Sequence, residues 1–164
     1  MTATVDARGF TSTDAMRWNS ALAETGFERL GRELDTAMGA VKGTFTERLV
    51  VFAQTYVRFA ARHSALVALM HTSNDRSDAP HLRQANDRAF AAPIALITEA
   101  RRKGDIVDTD PDGVSMAVLA MLQGLAVLVT SGMSGERYLD PLVSGSIKVL
   151  VDGLRPRTKA ASRV

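Results

Sequence analysis

The chain has no cysteine, which removes disulfide frameworks, thiolate zinc sites and cysteine nucleophiles from consideration. Aromatic residues make up only 5% of it, and no stretch of useful length alternates apolar and polar residues as a half-buried strand would. Neither a G-x-S-x-G elbow nor a glycine-rich phosphate loop occurs. Carboxylate pairs such as Glu24 and Glu28 fall on a solvated helix face. No enzymatic activity and no cofactor are therefore expected. The start of the chain lacks the basic segment and apolar run of a signal peptide, so the expected compartment is the cytoplasm.

Leu, Ala, Val and Met dominate the apolar set, and 164 residues suit one helical domain with a substantial core. The pI of about 9.3 could suggest nucleic acid, but the excess charge is local. Arg155, Arg157, Lys159 and Arg163 lie at the C-terminal end with no acid among them; setting them aside leaves 16 bases against 18 acids, a body of net charge −2. The expected organisation is a short segment 1–12, a helical domain 13–154 and a basic tail 155–164. With a weakly acidic body, duplex DNA should bind weakly and without sequence preference, if at all.

Six or so helices are legible. Asp14 to Met38 places Met16, Ala23, Phe27, Leu30, Leu34 and Met38 within roughly an 80° arc, with charges opposite. Thr44 or Thr46 caps a second helix running to about His63, on which Leu49, Phe52, Tyr56 and Phe59 form an aromatic stripe. A short apolar helix, Ala65 to Met70, follows Ser64, and polar Thr72–Ala79 reads as a loop. Pro80 opens a helix extending to about Lys103, closed by Gly104 and expected to kink at Ala89–Ala92 because of Pro93. Ser131–Glu136 reads as a loop before a last helix from about Tyr138 to Leu154.

The stretch that says most is Asp110-Pro111-Asp112-Gly113 followed by Val114 to Val129, interrupted only by Ser115, Gln123 and Gly124. Asp110 is a good N-cap and Pro111 suits the first helical position, where its missing N–H would be unpaired anyway. A helix that is apolar all round must be covered on more than one side. The apolar run is shorter than the about 20 residues of a membrane span, so no membrane association is expected and a second copy of the chain is the natural cover. Asp108 to Gly113 also imitates the start of a calcium loop. The twelfth position, which needs a bidentate Glu, is Leu119, and helix capping accounts for the same residues. His63, His71 and His81 are spaced by eight and ten residues, so none pairs at i,i+4. They are expected at the surface or at helix ends, and no metal site is expected.

The order of these parts resembles the C-terminal regulatory domain of TetR-type (tetracycline-repressor-like) transcriptional regulators. Thr13-Asp14-Ala15-Met16 through Gly26-Phe27-Glu28-Arg29-Leu30 is similar to the helix joining the DNA-binding and regulatory domains of that family. Glu47-Arg48-Leu49 through Tyr56-Val57-Arg58-Phe59-Ala60, with His63-Ser64-Ala65-Leu66 to Leu69-Met70, resembles its central helix and turn. Asp110-Pro111 and Leu122-Gln123-Gly124-Leu125 resemble its dimer-forming helix; where one subgroup has Trp-His-Gly, only Gly124 matches.

The resemblance implies an all-α regulatory domain that binds a small hydrophobic effector and dimerises through a four-helix bundle of 110–130 and 138–154 from each chain. A pocket is expected between 46–62, 80–103 and 110–130, lined by some of Phe52, Tyr56, Phe59, Met70, Phe90, Ile94, Met121 and Leu125. The expected seam comprises Met116, Leu119, Gln123, Val127, Leu142, Gly145 and Val149, with Gln123 hydrogen-bonding across it or else turned into the pocket. Only a few residues precede Phe10-Thr11-Ser12-Thr13, which resembles the junction after the recognition helix; DNA is a partner only if a helix-turn-helix exists upstream. The alternatives are a structural dimerisation module with a collapsed core, or a heterodimer partner of a full-length regulator.

Overall fold

A computed structural model describes residues 12–76, 80–131 and 138–156. Among them are six α-helices: α1 (Ser12–Gly39), α2 (Phe45–Arg62), α3 (Ser64–Arg76), α4 (Pro80–Lys103), α5 (Pro111–Thr130) and α6 (Leu139–Leu154). Most of segment 1–12, the 77–79 and 132–136 parts of the two expected loops and the tail beyond Pro156 lie outside the described residues.

Local chemistry sets the ends. Thr44 and Glu47 form a reciprocal box at the start of α2: the Glu47 N–H donates to Thr44 Oγ1 at 3.3 Å, and the Thr44 N–H donates to Glu47 Oε2 at 2.8 Å. At α5, the N–H groups of Asp112 and Gly113 donate to the two Asp110 carboxylate oxygens at 3.2 and 3.1 Å. The end of α4 is closed by Gly104 at φ +77°, a left-handed conformation that favours glycine. Its neighbour Asp105 donates to the Ala100 carbonyl at 2.9 Å.

Each helix turns one stripe inward. α2 is central, with Leu49, Phe52, Ala53, Tyr56, Val57, Phe59 and Ala60 buried. α1, α3 and α4 pack against one another, α6 lies on α2, and α5 bridges α2 and α4. Two close approaches position α1. A Cβ on Gly26 would stand 2.7 Å from the Met70 sulfur of α3, and one on Gly31 would stand 3.3 Å from the Ala89 Cα of α4. Ala23 is the first buried residue of α1. Met16, expected in the core stripe, is 62% exposed because the first turns extend past the neighbouring helices.

Two local expectations change. The polar 72–76 stretch is not loop but the end of α3, its solvent side carrying Thr72, whose hydroxyl donates to the Ala68 carbonyl. Polarity without a breaker does not stop a helix that is already propagating. The expected helix from Pro80 to Lys103 forms as α4, with Pro93 inside it and buried. α5, at 20 residues and a mean hydropathy of 2.0, is long and apolar enough to cross a membrane by length and composition. The length argument against a span therefore falls, but Val114, Val118, Leu122, Leu125 and Val129 of α5 are buried in the core of this fold.

Candidate ligand cavity and uncovered helix face

Where α2, α3, α4 and α5 diverge, the fold leaves a cavity of about 590 Å³ open to solvent on one side. Phe52 comes from α2 and His71 from α3. Asn86, Phe90, Pro93, Ile94 and Ile97 come from α4. Asp112, Ser115, Met116, Val118, Leu119 and Leu122 complete the wall from α5. Pro93 is built into that wall, and having no N–H it leaves the Ala89 carbonyl without its usual helical donor.

The sequence-selected pocket residues divide here. Phe52, Phe90 and Ile94 line the cavity. Tyr56, Phe59, Met70 and Leu125 are core residues at 5% exposure or less and do not reach the wall. Met121 is half-buried against that core. Phe59 meets the His63 ring edge-on at 5.0 Å, while Tyr56 lies 6.2 Å from Phe90. Of the expected seam residues, Leu119 turns into the cavity and Met116 stands at its rim, 64% exposed.

Gln123 and His71 are the polar surprise. Gln123 Nε2 lies 2.5 Å from His71 Nε2, and Tyr56 Oη lies 3.2 Å from the same nitrogen. Gln123 therefore has a partner within its own chain, and His71 lies half-buried inside α3 rather than at the surface or at a helix end. Sequence spacing could not pair residues 52 positions apart on different helices. Burial pushes the Tyr56 phenol up to about 12, keeping it protonated. Of the other histidines, His63 caps the C-terminal end of α2 and His81 lies 3.8 Å from Glu24. Among the described residues no group of three potential metal ligands converges.

A second feature shares α5. Met116, Ala117, Ala120, Gly124 and Val127 are exposed and fall within roughly a 100° arc of that helix. On α6, Gly145 and Val149 are exposed and Leu142 is half-buried. No atom lies within 4 Å of a Cβ built on Gly124 or Gly145, so both are open to close approach from outside.

The family profile described as "Tetracyclin repressor-like, C-terminal domain" matches residues 49–152, which spans the central helix, the cavity and the uncovered face. The chain belongs to this family. The tetracycline repressor-like C-terminal domain is regulatory rather than catalytic, and its all-helical architecture is that described above. A solved structure titled "Structure of a protein with unknown function from Rhodococcus sp. RHA1" is similar to it at 29% identity and a TM-score of 0.76. The match covers 84% of this chain and 73% of that one. A search of curated proteins finds no match.

Proposed function

We propose that this tetracycline repressor-like domain is the effector-sensing and dimerisation part of a cytoplasmic transcriptional regulator. Its effector is a small hydrophobic molecule, and DNA is engaged only through a helix-turn-helix supplied outside the described domain. The observation that carries this reading is the shared use of α5. One side of the helix walls a largely apolar cavity, and another presents an uncovered apolar stripe.

The cavity volume falls within the roughly 300–1,000 Å³ of small-molecule sites. The uncovered stripe, with Gly145 and Val149 beside it, suits a four-helix seam with a second copy. Occupation of the cavity then bears on the helix that holds the two copies together. The test is titration of Nile red, a neutral apolar dye, into the protein and into Ile94→Trp, which fills the mouth. Saturable fluorescence enhancement in the wild type that is lost in the filled variant is expected. Absence of binding in the wild type would favour the structural module with no ligand.

A further inference from the structure

Among the described residues four polar side chains line the cavity, and they differ in what they have left to offer a ligand. His71 is already engaged with Tyr56 and Gln123, which stand outside the wall. The Ser115 hydroxyl gives its one hydrogen to the Pro111 carbonyl at 2.8 Å, so toward the cavity it can only accept. Asn86 gives an amide hydrogen to Asp87 at 3.3 Å, which leaves its carbonyl oxygen as an acceptor. Asp112 brings a carboxylate, an acceptor with a formal charge. Among the described residues it has no ion-pair partner, and no Lys or Arg joins it in the wall.

The wall is also graded from mouth to interior. Ile94, Asp112 and Met116 are exposed, whereas Phe52, Ile97 and Leu122 are buried. Ser115 stands three residues after Asp112, so the two are neighbours on one side of α5. A charged group at such a mouth keeps part of its water while an apolar body enters, and so escapes most of the cost of burying an ion. The group that satisfies a carboxylate and a hydroxyl lone pair together is a cation bearing N–H. An anion would meet Asp112 as a like charge. The first-turn N–H groups of α5, which would favour an anion, are turned elsewhere: those of Asp112 and Gly113 donate to the Asp110 carboxylate.

We infer that the effector is an amphiphilic ammonium, a protonated primary or secondary amine on an apolar body. Its N–H groups meet Asp112 and Ser115 at the mouth, and its body lies against Phe52, Phe90 and Ile97 inside. This rests on the effector-sensing reading above and deepens it by giving the hydrophobic molecule a cationic end. Three probes of one shape separate the two claims: 2-naphthylmethylammonium, 2-ethylnaphthalene and 2-naphthylacetate. Each is titrated near neutral pH by calorimetry into the full chain and into Asp112→Asn, which keeps the size of the side chain and removes its charge.

The ammonium should bind the wild type at least about tenfold more tightly than the acetate, one attraction set against one repulsion. Added sodium chloride should narrow that gap, because the mouth is open to solvent. Asp112→Asn should weaken the ammonium by roughly three- to tenfold, the worth of a charge-assisted hydrogen bond partly exposed to water. It should leave 2-ethylnaphthalene unchanged, a pattern that unfolding cannot imitate. Acetate binding as tightly as the ammonium, or an ammonium affinity that Asp112→Asn leaves unaltered, would overturn the inference and leave the effector-sensing reading standing. Failure of all three probes to bind the wild type would overturn both.

Discussion

Phe59 and Ile94 are both large apolar helix residues, yet their surroundings give them opposite energetics. Phe59 is wholly buried, so Phe59→Ala should cost the roughly 3–5 kcal/mol of a close-packed core phenylalanine, read by denaturant unfolding. Ile94 is 44% exposed at the cavity wall, and Ile94→Ala should cost less than about 1 kcal/mol while weakening Nile red binding. Equal losses in the two variants would mean that the cavity is filled in solution. Tyr56 supplies a prediction of different sign. Its folded pKa of about 12 exceeds that of an unfolded phenol, about 10, so its proton is bound more tightly in the native state. That contribution is complete below about pH 10 and is lost as pH rises toward 12. The alkaline fall in stability should therefore be shallower in Tyr56→Phe than in the wild type when the two are compared across that window.

At the scale of elements, helix ends and helix crossings behave differently as readable features. The Thr44–Glu47 box and the Asp110–Pro111 cap are written within three or four residues, and the structure forms both. Thr44→Ala should cost about 0.5–2 kcal/mol near neutral pH. The Thr44 N–H and hydroxyl hold the Glu47 carboxyl below the usual carboxylate range. A lowered pKa contributes stability above the unfolded value that disappears as pH falls through the folded one, so the gap between wild type and variant should narrow in acid. Crossings are not local. Nothing near Gly31 in sequence reveals that the Ala89 backbone will pack against it, or that Gln123 will reach His71. The aromatic stripe of α2 was legible as a buried face. Which members would face a void depended on the angle at which α4 and α5 cross it, and that is set by side chains on three helices together. Gly31→Ala offers the matching test. A helix-interior glycine usually gives up about 1 kcal/mol relative to alanine. Here the contact with Ala89 should cancel or reverse that gain, whereas Gly124→Ala, with open space around it, should keep it in the monomer.

For the whole molecule, the decisive property is what covers α5. The helix has no charged residue between Val114 and Thr130, and its inner side is already taken by α2 and α4. The remaining arc, from Met116 through Ala120 and Gly124 to Val127, leaves exposed an apolar strip that water solvates poorly. Its small residues allow a neighbouring helix to come close. Two copies related by a two-fold axis would set this strip and α6 against their equivalents, an isologous arrangement in which each covers the other. Light scattering at micromolar concentration should therefore give twice the 17.6 kDa of one chain. Val127→Arg places a guanidinium at the C-terminal end of that strip, where Val127 is 61% exposed in the single chain and makes little contribution to the core. The variant should keep its helical circular dichroism and scatter as a monomer, because an arginine covered by the apolar strip of a second copy is desolvated and left unpaired. A wild type that stays monomeric, or an arginine variant that still dimerises, would move the interface away from α5 and with it the proposed link between cavity and assembly.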